Sequence, residues 1–352
     1  MKRLLFSVAA VLLGALVATG LAEVILRAQN RASASASRLD PGLFRHDPAL
    51  GWRLSPYWKG AHRHRDYTAS YAIDGRGYRR NPNADAPPTG QVCIVLGDSF
   101  TFGFGVSDDD TFVQRLNASP TLVRCVNMAV PGYSTDQEVL LLEQETKDYD
   151  VVSVLLVVYL GNDLIDNERP FPIQVPDAKP YFALTASGLE LRNSPVPREK
   201  KPAMEPAFDL IEAVGAPPAL LRMGRFAATR PAAEWLLGRS DLTRRLSQAC
   251  GPSLDLFKTL AHRANNDCAA RDARLYLVLL PGRSFVEKPY SLTGRYQEFI
   301  RGELVRRGRD AGINVIDLAT PLRGRKGLYY PNDGHLTREG HRTVAGILFA
   351  QP

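Results

Sequence analysis

The chain has 352 residues, of which 45% are hydrophobic, 23% charged and 9% aromatic. These proportions are those of an ordinary globular protein and exclude a fully disordered chain, a collagen-like repeat and a coiled coil. The 44 lysines and arginines exceed the 37 acidic residues by +7, but this excess forms no long basic stripe, so nucleic acid is not an expected partner.

The first residues predict a segment that crosses a membrane. Lys2 and Arg3 precede an uncharged stretch over 4–22. Because a helix rises about 1.5 Å per residue, this stretch is long enough for a hydrocarbon core of about 30 Å. A cleaved signal peptide is the alternative, because small residues typical of cleavage sites occur at 18–22. The stretch exceeds the usual signal-peptide core of about 7–15 residues, which favours the uncleaved anchor.

Residues 1–27 are therefore assigned to an anchor or signal, and 28–39 to a linker that contains the small-residue run RASASASR. We expect a single-pass protein whose body lies outside the cytoplasm, in the periplasm. The positive-inside rule gives this orientation little support, because arginines after the stretch nearly balance the charges before it.

Residues 40–90 predict a small β-rich extension. This segment contains short stretches with Gly, Pro and Tyr, and 66–80 alternates around the turn signal Asp74-Gly75.

Residues 91–350 predict one α/β domain. Five short apolar runs alternate with helical sequence, which is typical of a parallel sheet covered by helices on both faces, a three-layer α/β/α fold. The runs lie at 92–96, 122–128, 151–160, 275–280 and 313–318.

An insertion over 165–251 interrupts this domain after the central strand. It predicts a hairpin at 181–193 and short helical pieces at 217–228 and 231–237. Because open α/β sheets bind ligands at the carboxyl ends of their strands, the insertion either shapes the substrate cleft or serves as a packing arm.

The four cysteines predict neither a disulfide framework nor a zinc site. Cys250 and Cys268 flank helical sequence at 253–265, which would hold them about 20 Å apart, beyond the reach of a disulfide. Cys93 and Cys125 lie in apolar runs, where buried free thiols are common. Paired C-x-x-C spacing is absent from the sequence.

A serine follows the first apolar run, where a nucleophile of an α/β enzyme is expected. The segment reads Gly97-Asp98-Ser99-Phe100-Thr101. A phosphate-binding loop is excluded because the segment lacks its lysine, and the dinucleotide fingerprint is absent too. Thr101 also replaces the second glycine of the G-x-S-x-G elbow. A serine hydroxyl needs a general base within hydrogen-bond reach, and its backbone N–H near a helix start can stabilise an oxyanion.

The base is predicted on the last loop, which carries Asp333 and His335 before a C-terminal helix. A histidine beside a carboxylate, in a chain with a strand-end serine, has the partner that a catalytic triad requires. His341 lies inside the helix, and His62 and His64 alternate with arginines, which disfavours metal binding.

With these residues in place, the chain resembles the SGNH/GDSL hydrolase superfamily. Its motif blocks have counterparts in the right order at 97–99, 127–132, 161–163 and 333–335. The resemblance covers about 92–348, and the segment before it looks like the N-terminal extension of membrane-anchored members, among them relatives involved in exopolysaccharide O-acetylation. It implies the flavodoxin-like strand order 2-1-3-4-5 and no metal or organic cofactor.

The resemblance also implies roles for site residues. Ser99 matches the nucleophile, and His335 matches the base that deprotonates it. Gly132 matches the backbone donor to the oxyanion, and Asn162 matches the donor of a side-chain amide.

The acid of the triad departs from the family pattern. The usual spacing is D-x-x-H, but Asn332 stands three residues before His335 and Asp333 only two before it. Asp333 is the predicted orienting acid, and Asn332 in its place would leave the imidazolium without a charged partner.

Other acidic residues near the motifs are predicted to be structural. Carboxylates of Asp98 and Asp163 beside a developing oxyanion would repel it. The acidic run at 108–110 is expected to cap a helix start and to place favourable charge there.

The leading hypothesis is therefore an extracytoplasmic, membrane-anchored serine esterase that acts on carboxylic esters, with acetyl esters and acetylated carbohydrate as expected substrates. An O-acyltransferase that moves an acetyl group to an exopolysaccharide would use the same residues. A glycan-binding module without catalysis is the alternative from another class. Oligomeric state is left open by the sequence.

Overall fold

The computed structural model describes residues 37–81, 90–118, 123–200 and 239–351. The predicted anchor over 1–27 and the helical pieces at 217–228 and 231–237 lie outside these ranges. Among the helices inside them, none is long and apolar enough to cross a membrane.

Strands occur in both the N-terminal part and the main part of the chain. They are β1 (Ser37–Leu39), β2 (Phe44–Asp47), β3 (Gly51–Leu54), β4 (Lys59–His64), β5 (Tyr67–Ala72), β6 (Gln91–Leu96), β7 (Arg124–Asn127), β8 (Asp150–Tyr159), β9 (Tyr181–Thr185), β10 (Gly188–Arg192), β11 (Arg274–Leu280) and β12 (Asn314–Asp317).

Within the described residues, the helices follow β6 in the chain. They are α1 (Ser99–Phe102), α2 (Phe112–Asn117), α3 (Thr135–Glu145), α4 (Asp163–Asp166), α5 (Arg239–Ala269), α6 (Arg283–Glu287), α7 (Leu292–Asp310), α8 (Ala319–Leu322) and α9 (Arg338–Phe349).

Five parallel strands form the central sheet in the order β7-β6-β8-β11-β12, so the predicted order 2-1-3-4-5 is confirmed. The central strand β8 contains the longest of the five apolar runs, and its consecutive Leu156, Val157 and Val158 are buried. Because successive side chains of a strand point to opposite faces, such burial requires cover on both faces of the sheet. Two groups of helices provide it, since α5 packs against both α3 and α7, while α2 packs against α9.

The predicted extension begins earlier than position 40, because Ser37–Leu39, predicted as linker, pair with β4 as β1. Its described part covers 37–81. It contains the three-stranded antiparallel sheet β1-β4-β5 and the hairpin β2-β3. The predicted turn at Asp74-Gly75 closes only the single bridge between Ile73 and Arg79. The main hairpin turns instead at Arg65-Asp66, between β4 and β5, where the sequence carries no Gly or Pro to mark it.

Several polar anchors join the extension to the central domain, three of them through Trp52, Arg79 and Asp66. The Trp52 indole N–H donates to the Pro131 carbonyl oxygen at 3.0 Å. The buried Arg79 guanidinium donates to the carbonyl oxygens of Phe102 at 3.1 Å and Val106 at 2.9 Å, and it pairs with Asp108. Asp66 forms a third anchor, to the last loop of the chain.

The predicted hairpin of the insertion is present as β9 and β10. A buried ion pair between Lys179 and Asp136 fastens the segment before it to α3. Both side chains are completely buried, and the Lys179 ammonium also donates to the Pro180 carbonyl oxygen.

All four cysteines are described, and each is a free thiol. Cys250 and Cys268 lie eighteen positions apart on the single helix α5, or about 27 Å at the rise of a helix. Cys93 and Cys125 are register partners on the neighbouring strands β6 and β7.

Candidate active site

Four of the predicted motifs meet at one edge of the sheet, because the carboxyl ends of parallel strands lie together. Ser99 follows β6, Gly132 follows β7 and Asn162 follows β8. His335 lies on the loop between α8 and α9. Open α/β sheets bind their ligands at this edge.

Ser99 begins the one-turn helix α1 directly after β6. Asp98 caps this helix, because its carboxylate accepts the Phe100 N–H at 2.9 Å. The helix ends at Gly103, whose φ of 93° is left-handed and favours glycine. Local sequence therefore turns the chain sharply at this point and fixes Ser99, which is 8% exposed.

His335 lies within hydrogen-bond distance of both predicted partners. Its Nε2 is 2.8 Å from the Ser99 Oγ, and its Nδ1 is 2.6 Å from an Asp333 carboxylate oxygen. The structure thus brings Ser99, His335 and Asp333 into one continuous chain of hydrogen bonds.

The direction of this chain follows from the charge of Asp333. Burial raises the pKa of Asp333, but the hydrogen bond and the electrostatic attraction between Asp333 and His335 outweigh burial and keep that pKa below its ordinary value. An ionised carboxylate only accepts hydrogen bonds, so the proton lies on His335 Nδ1. The Nε2 lone pair is then free to accept the Ser99 hydroxyl proton.

Asp333, rather than Asn332, lies next to the His335 imidazole. Gly334 has a left-handed φ of 87°, which bends the chain between Asp333 and His335. This bend turns the Asp333 carboxylate toward the imidazole. Asn332 points elsewhere and donates its amide to Asp66 at 2.6 Å.

Gly132 lies on the loop after β7 with a left-handed φ of 84°. A Cβ at this position would come within 2.4 Å of the Val175 Cγ2 and 3.3 Å of the Trp52 Cζ2. Glycine therefore suits this position, and without a side chain its backbone N–H stays accessible. Val175 belongs to the insertion, so the insertion contacts the candidate site.

Asn162 lies between β8 and α4, and its side-chain amide donates to the Asp166 carboxylate at 2.6 Å. The other carboxylate oxygen of Asp166 accepts the Ile173 N–H at 2.9 Å. Asp166 thus fixes the orientation of the Asn162 amide, and one N–H of that amide is left for another acceptor. The motif pattern did not predict Asp166.

Three buried carboxyl groups lie behind Ser99. Asp163 accepts the Tyr159 N–H at 2.7 Å, which fits its predicted structural role, as the helix cap of Asp98 does. Glu138 of α3 is the third, and neither of its carboxyl oxygens has a hydrogen-bond partner among the described residues. Sequence patterning could not reveal this buried position of Glu138, because a glutamate on an amphipathic helix is normally solvated.

These three groups hold protons more tightly than free carboxyls. Burial raises the pKa of Asp98 to about 6. Burial, followed by the charge of Asp98, raises the pKa of both Glu138 and Asp163 well above the ordinary range. Burial and mutual repulsion therefore favour the neutral form of these carboxyl groups, which limits the negative charge near Ser99.

Aromatic rings enclose the imidazole. The Phe100 ring lies 4.6 Å and the Phe104 ring 5.5 Å from the His335 ring. Phe100 also stacks on Tyr159 at 4.2 Å. These apolar rings lower the local dielectric around the Ser99–His335 hydrogen bond, which strengthens it.

The acidic run at 108–110 differs from its prediction. It forms a short 3-10 turn, and the helix that follows is capped by Thr111, whose side chain accepts the Gln114 N–H. The prediction of a cap was wrong, because Thr111 rather than an aspartate stands at the N-cap position. Asp108 and Asp110 instead form ion pairs with arginines.

Two other buried histidines, His62 and His341, have structural partners. His62 is buried against Tyr67 and Tyr71, and burial lowers its pKa to about 4. The His341 Nδ1 accepts the Phe112 N–H at 3.1 Å. Within the described ranges, no cluster of three or more His, Cys, Asp or Glu side chains is arranged to hold a metal ion.

No family model and no curated protein sequence matches this chain. Solved structures resemble it over about three quarters of its length. A lipolytic protein of the G-D-S-L family from Veillonella parvula DSM 2008 aligns at a TM-score of 0.38 and 14% identity, covering 74% of this chain and 97% of that one. An extracellular lipase from Streptomyces rimosus aligns at 0.40 and 15% identity, covering 75% and 100%.

A catalytic mutant of an acetylxylan esterase from Geobacillus stearothermophilus aligns at a TM-score of 0.41 and 9% identity, covering 75% of this chain and 94% of that one. All these TM-scores lie below 0.5 and the identities below 25%. The likenesses therefore carry no argument about the fold, activity or substrate of this chain. The structure itself shows a serine, a histidine and an aspartate in one hydrogen-bonded chain at the carboxyl edge of a parallel α/β sheet.

Proposed function

We propose that the chain is a serine esterase that hydrolyses carboxylic esters, with Ser99 as nucleophile, His335 as general base and acid, and Asp333 as the orienting carboxylate. The observation that carries this proposal is the hydrogen-bonded chain from the Ser99 Oγ through His335 to Asp333, with distances of 2.8 Å and 2.6 Å. A positioned base is what makes a serine hydroxyl nucleophilic at neutral pH.

In the acylation step, the Ser99 Oγ attacks the ester carbonyl carbon as its proton passes to the His335 Nε2. The carbonyl oxygen of the resulting tetrahedral intermediate carries the negative charge. The carbonyl re-forms, the bond to the leaving alcohol breaks, and His335 gives its proton to that oxygen. An acyl-Ser99 ester remains.

Three donors are proposed for the oxyanion: the backbone N–H groups of Ser99 and Gly132 and the side-chain amide of Asn162. Each lies at the end of a different strand, and Asp166 fixes the orientation of the amide. Donors that are held in place before the reaction stabilise developing charge without reorganisation at the moment of reaction.

In the deacylation step, water replaces the alcohol. His335 takes a proton from the water as its oxygen attacks the acyl carbon, and the same oxyanion donors act again. Collapse of this second intermediate releases the carboxylic acid and returns the proton to the Ser99 Oγ. The imidazolium that forms in each step lies against Asp333, whose lowered pKa keeps it ionised.

The proposed substrate class is acyl esters, with acetylated carbohydrate first among them. The proposed location is the outer side of a membrane, held by the segment 1–27. The length and hydrophobicity of 4–22 support this location. A protein held there would meet acetylated extracellular polymers directly.

The test uses the full chain in detergent and measures release of acid from short aryl esters and from acetylated polysaccharide, with and without a sugar acceptor. We expect Ser99→Ala to lose at least about 10⁴-fold in kcat, because the covalent route is then closed. The exposed serine variant Ser187→Ala is the matched control and should keep the wild-type rate.

Each other outcome has a definite meaning. Release that is accelerated by the acceptor, with acylated sugar among the products, would identify an O-acyltransferase on the same residues. Saccharide binding that survives Ser99→Ala, without any turnover by the wild type, would identify a glycan-binding module. Equal rates for wild type and Ser99→Ala would refute the role of Ser99.

A further inference from the structure

The extension touches the loop over 330–335, which carries both the acid and the base of the site. Asp66, at the turn between β4 and β5, accepts the backbone N–H groups of Asn332 at 2.8 Å and Asp333 at 3.0 Å on one carboxylate oxygen. Its other oxygen accepts the Asn332 side-chain amide at 2.6 Å. One carboxylate therefore holds the loop by three hydrogen bonds.

Asp66 has the charge state that this contact needs. Burial raises its pKa, but the three hydrogen bonds from Asn332 and Asp333 outweigh burial, so the pKa lies below the ordinary value. An ionised carboxylate has acceptor sites for all three donors, and hydrogen bonds to a charged acceptor are stronger than neutral ones.

Tyr67, the next residue, lies beside the acid. Its hydroxyl is 3.3 Å from the His62 Nδ1. Burial, together with the negative charge of Asp333, raises the pKa of Tyr67 far above its ordinary value, so the phenol keeps its proton next to that carboxylate. Asp333 thus faces the protonated Tyr67 hydroxyl in addition to the His335 Nδ1–H.

Tyr330, at the start of the loop, is held by two further contacts. The Tyr330 ring lies 4.9 Å from the Tyr67 ring, and the Tyr330 hydroxyl donates to the Gly105 carbonyl oxygen at 2.9 Å. Backbone hydrogen bonds close the loop, from the Tyr330 N–H to the His335 carbonyl oxygen and from the Gly334 N–H to the Tyr330 carbonyl oxygen. Contacts to the extension thus complete a bend that the loop makes around Gly334.

We propose that Asp66 and Tyr67 are positioning residues for the reaction: they hold the loop so that a carboxylate only two residues before the histidine meets its Nδ1, and they act on Ser99 and His335 through Asp333 alone. This inference rests on the proposed function. It explains how the short D-x-H spacing serves in a triad, since the position of the acid is set by a distant segment of the chain.

The first experiment measures kcat and KM for Tyr67→Phe and Asp66→Asn in the full chain. We expect kcat to fall about tenfold or more for each, with KM within about twofold of wild type, because the acid is misplaced while substrate contacts remain. Tyr71→Phe is the matched control. Tyr71 lies on the same strand, and its buried hydroxyl contacts His62 and the Gly105 N–H rather than Asp333.

The decisive readout is a double-mutant cycle with Asp333→Ala. If Asp66 and Tyr67 act through Asp333, adding Tyr67→Phe or Asp66→Asn to Asp333→Ala should change kcat less than about twofold. A loss that persists in full in the Asp333→Ala background would overturn the proposal. Single variants no slower than Tyr71→Phe would overturn it as well.

Two further measurements separate the positioning role from folding defects and from the proposed function. Asn332→Ala weakens the same contact by removing an exposed side chain. We expect kcat to fall about threefold, because two of the three hydrogen bonds to Asp66 remain. The low-field proton resonance of the His335–Asp333 hydrogen bond needs no turnover. It should move in Tyr67→Phe and stay in place in Tyr71→Phe.

An unmoved resonance in folded Tyr67→Phe refutes the positioning role, whether or not the protein is active. Absence of Ser99-dependent turnover in the wild type, with a resonance that does respond, would refute the proposed function alone.

Discussion

The central domain and the extension divide the candidate site between them. The domain carries Ser99, His335 and Asp333, each at the ligand-binding edge of its sheet. The extension carries none of these side chains, yet its Trp52 and Asp66 hold two of the loops on which they and their neighbours lie. A parallel sheet places strand ends within several ångströms of each other, whereas a triad needs hydrogen-bond distances, and contacts from outside the sheet close that gap.

Between the domain and the extension, the largest effect on turnover is expected from Asn162 of the domain. Asn162→Ala removes a proposed oxyanion donor, and the barrier to turnover should rise by about 2.7–4 kcal/mol, a loss of roughly 10²–10³-fold in kcat. Steady-state kinetics on an aryl ester measures it. Asn314→Ala, at the exposed start of β12, is the control. Unchanged turnover in Asn162→Ala would remove this residue from the site.

A smaller effect is expected from the buried acids of the domain, and it concerns stability. The folded-state pKa of Glu138 is raised by burial and by Asp98, so the native protein binds more protons than the unfolded chain above about pH 4.5. The contribution of Glu138 to stability should therefore be full below that pH and decline as pH rises toward 8.

Glu138→Gln removes this titration, and we expect the decline in the free energy of unfolding between pH 5 and pH 8 to shrink by about 1–3 kcal/mol. Urea unfolding at the two pH values measures it. Glu339→Gln, on an exposed turn of α9, is the matched control. An equal decline in Glu138→Gln and wild type would mean that Glu138 does not carry the extra protons.

The smallest effect on turnover is expected where the extension contacts the loop after β7, which carries Pro131 and Gly132. Trp52→Phe keeps a ring in place but leaves the buried Pro131 carbonyl oxygen without its donor, which costs about 1–2 kcal/mol of stability. Because Pro131 precedes Gly132, kcat should fall a few-fold. Thermal unfolding and kinetics on the same sample measure both changes. A stable variant with an unchanged kcat would show that this anchor supports the fold only.

Much of the domain could be predicted from the sequence, because its strands are continuous apolar runs and its motifs lie at their ends. The strand order 2-1-3-4-5 and the meeting of Ser99 with His335 follow from that pattern together with the family resemblance. The choice between Asp333 and Asn332 did not, because it depends on the left-handed φ of Gly334 and on a partner about 270 positions earlier in the chain.

The supporting residues were missed for the same reason. Asp66 stands in a turn without Gly or Pro, and Tyr67 is one alternating residue in a strand. Asp166 and Glu138 lie on helices, where a carboxylate usually faces solvent. Their roles depend on which surfaces come together in three dimensions, and spacing along one sequence carries no signal of that.

The Arg79 anchor also bears on how the molecule comes apart. Its guanidinium is buried between three carbonyl oxygens and Asp108. Separating the extension from the domain would therefore break the Arg79–Asp108 ion pair and leave Asp108 without this partner. We therefore expect the extension and the domain to melt together in a single calorimetric transition. A fragment that begins at residue 91 would lack the covering of Phe104 and Tyr330 and would be prone to aggregate.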